Sequence, residues 1–270
     1  MNNNDQIQAY YEGLVEPIYR TVSGTVLHLA MFEGTESREV ATTRTKAFLA
    51  ARLPALPATA TIVDLGSGYG DAARFLAQRC GCRVIGLNLI HSQNVRALGL
   101  NREERVEVSI AVIEADFAGV PLPAACTEVV WSQEALLHAP NRKQVLGEAV
   151  RLLRPGGTFI LTDILQTGPM TDREARLIYE RVKIDSLETF DSYRSHLQTA
   201  GLLLDEVSDL SRYVARSYAD HIDGLRRHRP ALIKAAGAGY VDYTIEAMGR
   251  WVQAAEEGKL GWGMFVARKS

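Results

Sequence analysis

The sequence predicts an α/β fold in which a mostly parallel, seven-stranded sheet carries helices on both faces. Two observations lead to it. From Thr61 onward, short β-rich runs alternate with longer amphipathic runs, the pattern of strands joined by covering helices. The chain has 270 residues, which is enough for one elaborated core with additional helical segments.

The individual strands follow from runs of apolar and β-branched residues bounded by glycine, proline or polar turns. Helices are predicted between them, over 70–80, from about Ser92, and over 141–153. The run Arg154-Pro155-Gly156-Gly157 is expected to end the last of these helices, because proline and glycine interrupt helical structure. The predicted strands are TIVDLG (61–66), CRVIGLN (82–88), RVEVSIAVIEAD (105–116), TEVVWS (127–132), TFILTD (158–163), LLLDEVSDL (202–210) and GWGMFVARK (261–269).

Four segments describe the predicted domain organisation. Residues 1–60 form an N-terminal helical lid, and 61–210 form the core. A helical cap insertion over 211–258 precedes the last strand of the core, 259–270. Because ligands of such sheets bind at the carboxyl ends of the strands, we expect the lid and the cap to cover that edge.

Composition narrows the possible partners. The formal net charge is −2 and no basic stripe is present, so a small-molecule substrate is expected and nucleic acid is not. Cys80, Cys82 and Cys126 form neither a disulfide framework nor metal knuckles, which predicts a reducing cytoplasm and no metal site. No signal peptide and no apolar run long enough for a bilayer are found, so no membrane association is expected. The sequence leaves the oligomeric state undetermined.

The stretch VDLGSGYG, residues 63–70, places a glycine turn directly after the first strand and before a helix. Gly66, Gly68 and Gly70 have the spacing G-x-G-x-G, whereas a dinucleotide-binding turn has G-x-G-x-x-G, with its third glycine at the position of Asp71. A carboxylate there would repel a pyrophosphate. The carboxylate of Asp64 would instead suit a cationic amine such as that of S-adenosylmethionine.

The ends of the next three strands carry polar or aromatic groups. Asn88 ends the second strand, where an acidic ribose ligand is usual, and its amide can also bind ribose hydroxyls. Asp116 and Phe117 end the third strand and could contact an adenine. Gln133 follows the fourth.

In order and spacing, VDLGSGYG, Ala115-Asp116-Phe117 and LLRPGGTFILTD (152–163) resemble the class I S-adenosylmethionine-dependent methyltransferases. The resemblance covers residues 61–165 and implies a Rossmann-like methyltransferase sheet with S-adenosyl-L-methionine as cofactor.

A narrower resemblance extends beyond this core. Leu87-Asn88-Leu89 with Gln93-Asn94, the run 131–135 with His138, and GKLGWG (258–263) are similar to the sarcosine/dimethylglycine N-methyltransferases and their phosphoethanolamine- and natural-product-methylating relatives. This resemblance implies that Asn88 binds the ribose, Asp116 the adenine amine and Phe117 the adenine edge. The complete set of expected cofactor-binding residues is Asp64, Gly66, Gly68, Asn88, Leu89, Gln93, Asp116, Phe117 and Gln133.

The chain departs from that group in one segment. The betaine-forming enzymes typically carry Trp-Gly-Gly-Glu upstream of a histidine, whereas residues 23–30 read SGTVLHLA. His28 is kept, but the tryptophan that would hold a cationic amine is absent. Val26 and Leu27 favour a larger, more apolar natural-product acceptor, methylated at nitrogen, carbon or oxygen. A sarcosine or dimethylglycine acceptor is the alternative.

Methyl transfer needs a base only when the acceptor is a carbon or a hydroxyl group. The candidate catalytic residues are His138, Glu134, Asp163, His28 and Tyr11. Four of them also have a structural interpretation: His138 could cap a helix, Glu134 could be solvated, Asp163 could bind backbone amides, and Tyr11 could pack in the lid. His221 and the RRHR run 226–229 are expected on a solvated helix face, where an anionic group of the substrate could also dock.

Two functions of other classes remain open. A cyclase or regulatory protein could bind the cofactor on the same scaffold without transferring a methyl group. A nicotinamide dehydrogenase would require a dinucleotide, which Asp71 disfavours.

Overall fold

The computed structural model describes residues 3–270, and the strands of this part of the chain form one seven-stranded sheet. The strands are β1 (Thr61–Leu65), β2 (Arg83–Asn88), β3 (Ile110–Glu114), β4 (Thr127–Gln133), β5 (Leu153–Gln166), β6 (Leu202–Asp209) and β7 (Leu260–Lys269). Their order across the sheet is β3-β2-β1-β4-β5-β7-β6. The sheet is mostly parallel with one antiparallel pair, which confirms the predicted fold class.

The helices account for most of the remaining chain. A kinked π-helical segment, Tyr11–Val15, joins the first two helices, and short 3-10 turns lie at Leu136–His138 and Ser211–Tyr213. The α-helices are α1 (Asn3–Tyr10), α2 (Glu16–Ser23), α3 (Arg38–Ala50), α4 (Asp71–Cys80), α5 (His91–Glu103), α6 (Arg142–Leu152), α7 (Asp172–Val182), α8 (Phe190–Thr199), α9 (Val214–Arg227), α10 (Arg229–Ala236) and α11 (Ala238–Glu256).

Two predicted strands, the third and the fifth, have wrong boundaries at both ends. The strand predicted over 105–116 covers only Ile110–Glu114, because the chain first makes a turn in which Arg105 has φ +58° and Val108 is 91% exposed. Alternating valines in this turn imitate the period of a strand. The fifth strand is longer than predicted: it begins at Leu153 and includes the run 154–157.

A register shift explains how β5 accommodates that run. Thr127 of β4 pairs with Leu153, but Val129 pairs with Thr158, so the residues between them on β5 bulge out of the ladder. Gly156 has φ +75°, a left-handed conformation that favours glycine. Glycine and proline therefore end helix α6 as predicted, but they do so inside an irregular strand.

The chain divides into two compact units. One contains the segments up to Thr45, Ile164–Thr189 and Asp209–Trp262, and the other contains Lys46–Asp163, Phe190–Ser208 and Gly263–Ser270. The second unit, which we call the sheet unit, holds β1 to β4. The first, which we call the helical unit, holds α1, α2, α7, α9, α10 and α11.

Each unit has its own buried interior. In the sheet unit, β1 and β4 form the centre, and Val63, Leu65 and Val130 are completely buried. In the helical unit, the Trp251 indole donates a hydrogen bond to the Ile178 carbonyl at 3.2 Å. His221, which was expected on a solvated face, is 5% exposed, so that prediction is wrong. Within residues 3–270, no helix combines the length and the apolarity needed to cross a membrane.

Candidate cofactor site and catalytic residues

The sheet unit contains a topological switch point between β1 and β4. The chain leaves β1 on one side toward β2 and β3, while β4 and β5 lie on the other, so a crevice forms at the carboxyl ends of β1 and β4. The glycine turn follows β1 at this crevice. Gly66, Gly68 and Gly70 have φ values of +80°, +52° and +74°, which explains why the turn needs three glycines.

Gly66 also marks a close approach of two loops. A Cβ atom added at Gly66 would lie 2.3 Å from the Ala135 Cβ and 3.9 Å from the edge of the Phe117 ring. The turn after β1 therefore packs against the segments that follow β4 and β3. The structure thus brings together three regions that the sequence assigned to one site.

Asp64 is buried, and backbone hydrogen bonds hold the turn that follows it. Asp64, near the end of β1, is 2% exposed and lies in register with Gly86 of β2 and Trp131 of β4. The amides of Gly66 and Ser67 both donate to the Leu87 carbonyl, at 2.8 and 2.9 Å. These bonds fix the turn against the end of β2.

Asn88, at the end of β2, is oriented by another predicted site residue. Its Nδ2 donates to the Gln93 Oε1 at 2.9 Å, and both side chains are buried. Because this bond occupies the amide nitrogen, Asn88 presents a fixed amide rather than a freely rotating one. Leu89 follows it and is half-buried.

A histidine–carboxylate pair beside Asn88 was not found from the sequence. Glu114 lies opposite Asn88 in the register of β2 and β3, and its Oε2 is 2.7 Å from the His91 Nδ1. The hydrogen bond from His91, with a weaker one from Asn94, lowers the pKa of Glu114. The signal for Glu114 in the sequence is its position at the end of β3. Because the predicted strand extends to residue 116, the sequence analysis selects the carboxylate of Asp116 instead.

Asp116 and Phe117 lie just beyond β3 and are both half-buried. The Asp116 Oδ1 accepts a hydrogen bond from the Ala118 amide at 2.8 Å, so the carboxylate closes a tight turn. Its orientation is therefore set by its own loop.

Gln133 supplies a test of whether the crevice fits a polar cofactor. Its Oε1 accepts from the Trp131 Nε1 at 3.1 Å, and both side chains are buried. Its Nε2 is also buried, and no residue in the described part of the chain accepts from it. Because a buried amide hydrogen without an acceptor is unfavourable, the residues present suit a ligand that offers one.

Two catalytic candidates follow β4. The third, Asp163, was predicted at the end of the fifth strand but lies within β5, which continues to Gln166. Glu134 has φ +45°, its amide donates to the Thr162 carbonyl, and its Oε1 accepts from the Thr162 hydroxyl at 2.6 Å. His138 is the last residue of the 3-10 turn Leu136–His138 and is half-buried, whereas the other two residues of the turn are buried. Asn141, not His138, caps the following helix. Asp163 is 1% exposed and accepts a hydrogen bond from the Tyr193 hydroxyl at 2.5 Å.

The other two candidates belong to the helical unit. His28 is buried, at 8% exposed, in the segment between α2 and α3. The Tyr11 ring lies edge-on to Tyr10 with the ring centres 5.0 Å apart. Burial, reinforced by Tyr19, raises the pKa of Tyr11 far above its ordinary value, so its hydroxyl stays protonated at neutral pH and is a poor base.

Comparison with known proteins identifies the family to which the chain belongs. Residues 63–161 match the family model of a methyltransferase domain. The sarcosine/dimethylglycine N-methyltransferase of Halorhodospira halochloris is 35% identical over 208 residues, which is 77% of this chain and 75% of that protein. The 27-O-demethylrifamycin SV methyltransferase of Amycolatopsis mediterranei is 33% identical over 239 residues, 86% and 85% of the two chains.

The fold comparison extends over nearly the whole chain. The crystal structure of a candidate sarcosine dimethylglycine methyltransferase from Galdieria sulphuraria superposes with a TM-score of 0.91 at 26% identity and covers 97% of this chain and 98% of that one.

The sheet order, the glycine turn after β1 and the polar strand ends define an α/β enzyme that binds a nucleoside-containing cofactor. With these relatives, the chain belongs to the class I S-adenosylmethionine-dependent methyltransferases, in the group that includes sarcosine/dimethylglycine and natural-product methyltransferases. S-adenosyl-L-methionine is its cofactor and, when bound, supplies an electrophilic methyl group on a sulfonium.

Proposed function

We propose that this methyltransferase acts on a natural-product intermediate with an apolar body, at nitrogen, carbon or oxygen. The observation that carries the proposal is the segment 23–30, which has neither a tryptophan nor an acidic residue for an ammonium group. Val26 and Leu27 are half-buried in this segment, so each keeps apolar surface accessible. The rifamycin-methylating relative supports an acceptor of this kind.

A sarcosine or dimethylglycine acceptor is the second candidate. It is favoured by the Halorhodospira relative, whose identity to this chain is slightly higher. In such a reaction a neutral amine attacks the methyl carbon directly, and no protein base is required. The two candidates therefore differ in whether a catalytic base is needed.

The protein's contribution to either reaction is mainly positional. Holding the acceptor in line with the bond that breaks, and excluding water, can lower the barrier by roughly 7–11 kcal/mol. For a carbon or hydroxyl acceptor we propose His138 or Glu134 as the base, since both follow β4 beside the crevice. Asp163, His28 and Tyr11 remain catalytic predictions.

We also propose the nine expected cofactor-binding residues as the cofactor site, with Asp116 as the test case. Replacing Asp116 with Ala should weaken binding of S-adenosylhomocysteine by about tenfold or more, the effect of losing a hydrogen bond to a charged group. Asp209→Ala is a matched control, because Asp209 closes a similar turn by accepting from the Ser211 amide at 2.8 Å. Equal calorimetric affinities of the two variants would remove the adenine assignment.

The cellular setting is part of the proposal. Cys80, Cys82 and Cys126 are free thiols, which supports a reducing cytoplasm. A role in secondary metabolism, with a free small molecule as the methyl acceptor, follows from the proposed acceptor class.

Mass spectrometry of the products tests the acceptor class. The purified protein would be incubated with S-adenosylmethionine and either glycine derivatives or a pool of hydrophobic amines, phenols and prenyl compounds. The proposal expects a mass gain of one CH₂ group in the hydrophobic pool and none on the glycine derivatives. The reverse result would favour the second candidate. Conversion of an acceptor without a mass gain would indicate a cyclase instead.

A further inference from the structure

Arg74, on α4 of the sheet unit, carries a positive charge into the interior. The residue is 2% exposed and lies in the first turns of the helix that follows Gly70, the last glycine of the turn after β1. Because the side chains of a helix point toward its N-terminus, a long side chain at this position reaches back to the glycine turn. Charged side chains are seldom buried to this extent unless partners hold them in place.

The Arg74 guanidinium has one partner on either side. Its Nε lies 2.7 Å from the Oε1 of Glu104, the residue directly after α5, and its Nη1 donates to the Tyr69 carbonyl of the glycine turn at 2.6 Å. Glu104 is also held by α4, because its Oε2 accepts from the Gln78 Nε2 at 3.1 Å. The carboxylate therefore orients the guanidinium, and the guanidinium orients the carbonyl.

The peptide group between Tyr69 and Gly70 is closely packed against Arg74 and α5. Gly70 has φ +74°, and a Cβ atom added there would lie 3.2 Å from the Arg74 Nη1 and 3.5 Å from the Ala97 Cβ. The Tyr69 side chain is 1% exposed, and the Arg96 guanidinium carbon is 5.4 Å from the centre of its ring. Both residues that share this peptide group are thus in contact with the two helices.

Backbone hydrogen bonds connect this peptide group to the rest of the glycine turn. The Gly70 amide donates to the Ser67 carbonyl at 2.8 Å, and the Ser67 amide donates to the Leu87 carbonyl of β2. Gly66 and Gly68, which flank Ser67, belong to the proposed cofactor site. A change in the orientation of the Tyr69 carbonyl should therefore move the backbone that faces the crevice.

We propose that Arg74 is a positioning residue for S-adenosylmethionine binding. By donating to the Tyr69 carbonyl it keeps the glycine turn in the conformation that receives the cofactor, and this role needs no contact between Arg74 and the cofactor itself. Arginine suits the role because its planar fork donates in two fixed directions, whereas the single ammonium of lysine does not. The inference rests on the proposed cofactor site, since it requires the turn to contact the cofactor.

The sequence allows this peptide group to be observed alone. Tyr69-Gly70 is the only Tyr-Gly pair in the sequence, so the full chain labelled with carbonyl-¹³C tyrosine and ¹⁵N glycine gives a single cross-peak in an HNCO spectrum. The carbonyl frequency of this cross-peak reports the hydrogen bond from Arg74. Addition of S-adenosylhomocysteine should move the cross-peak in the wild type, because the turn lies at the proposed cofactor site.

Arg74→Met removes both partners of the guanidinium and keeps an apolar side chain. It should shift the Tyr69 carbonyl resonance to lower frequency, because a carbonyl that accepts fewer hydrogen bonds is less polarised. It should also weaken calorimetric binding of S-adenosylhomocysteine by about tenfold, since loss of a charge-assisted bond reduces the fraction of molecules with a binding-competent turn. A residue that only stabilised the fold would lower the unfolding temperature and leave the affinity of the folded molecules unchanged.

Arg52→Met is the matched control. Arg52 of the same unit also joins a carboxylate to a backbone carbonyl, because its Nη2 donates to the Glu206 Oε1 at 3.0 Å and its Nη1 to the Phe48 carbonyl at 2.7 Å. Neither partner belongs to the glycine turn. Arg52→Met should therefore lower the unfolding temperature and leave the Tyr69-Gly70 cross-peak and the affinity at their wild-type values.

A second variant serves if Arg74→Met does not fold. Arg74→Lys keeps a positive charge for Glu104 but lacks the planar fork, so it should still weaken binding of S-adenosylhomocysteine by about threefold.

Three results would overturn the inference: Arg74 variants that bind S-adenosylhomocysteine as tightly as the wild type, an unchanged cross-peak in these variants, or an equal loss of affinity in Arg52→Met. Failure of the proposed cofactor site gives a different result, in which S-adenosylhomocysteine binds the wild type without moving the cross-peak. If the cross-peak moves on binding but Arg74→Met keeps its affinity, the cofactor site stands and the role of Arg74 does not.

Discussion

Lys46 on α3 forms a largely buried ion pair with Asp71 at the start of α4, with the lysine Nζ 2.5 Å from the aspartate Oδ2. The two side chains are 8% and 14% exposed. The N-terminus of α4 further stabilises the carboxylate. This ion pair links α4, the helix that follows the glycine turn, to α3. Loss of either partner would leave the other charge largely buried and without a counter-ion.

Removal of one partner should therefore be more harmful than removal of both. Lys46→Met leaves the Asp71 carboxylate buried without its cation and should lower the free energy of unfolding by about 3 kcal/mol. The double variant Lys46→Met with Asp71→Asn should recover most of this loss. Urea unfolding of the two single variants and the double variant gives the coupling energy. A Lys46→Met protein as stable as the wild type would contradict a buried pair.

Gly66 has both a left-handed backbone and a close neighbour. Comparison with Gly156, which has a left-handed backbone but no close neighbour, separates the effects of these two features on stability. Gly66→Ala introduces a Cβ 2.3 Å from Ala135, whereas Gly156→Ala has φ +75° but no atom within 4 Å of the added Cβ. Both variants carry the left-handed penalty of about 1–2 kcal/mol. Gly66→Ala should lose more stability than Gly156→Ala in urea unfolding, and it should also weaken S-adenosylhomocysteine binding. Equal losses would mean that the loops after β1 and β4 separate easily.

Local signals explain what the sequence could reveal. The glycine turn follows β1 directly, and Asn88 and Gln133 are the last residues of β2 and β4, so the periodicity of the strands places all three at one edge of the sheet. The predicted third strand begins too early because the turn before β3 contains alternating valines, a pattern that resembles a strand. The positive φ of Arg105, which places it in this turn, cannot be read from that pattern.

Long-range pairs could not be predicted in this way. Lys46 and Asp71 are 25 residues apart, and Arg181 meets Tyr19 across 162 residues. Nothing in the local pattern near Arg181 indicates that its guanidinium is buried among rings contributed by other helices. Lys46 also compensates the charge of Asp71, so Asp71 repels a pyrophosphate less than its position in the sequence predicts.

Glu174 should make the helical unit sensitive to acid. Its carboxylate accepts from Lys259 at 2.6 Å and from the amide and hydroxyl of Thr171 at the start of α7. These bonds, that from Lys259 first, lower the pKa of Glu174 to about 2. Because the folded pKa lies below the unfolded value of about 4.3, the stabilisation is complete above that value and is lost as the pH falls toward 2.

Thermal unfolding at pH 7, 5 and 3 checks this prediction. The wild type should be more stable than Glu174→Gln at pH 7 and 5, and the difference should shrink at pH 3. Lys259→Met should show a weaker pH dependence than the wild type over the same range, since it removes the main donor. Added salt should reduce the effect, because the pair is accessible to solvent. A difference between wild type and Glu174→Gln that is the same at all three pH values would contradict the assigned pKa.

The bond between Tyr193 and Asp163 distinguishes a structural carboxylate from a catalytic one. Tyr193→Phe leaves the buried Asp163 with one donor fewer and should lower the free energy of unfolding by about 1–3 kcal/mol. If Asp163 serves only to hold Tyr193 and β5, kcat at saturating acceptor stays at the wild-type value in Tyr193→Phe. If Asp163 is the base, loss of this donor raises its proton affinity and shifts the pH profile of kcat upward. Tyr179→Phe, at a half-buried tyrosine whose hydroxyl donates to the Gln166 Oε1 at 2.9 Å, controls for the loss of a hydroxyl elsewhere. We expect a loss of stability without a shifted profile, because Asp163 is 1% exposed and its Oδ2 already accepts the Tyr193 hydroxyl at 2.5 Å.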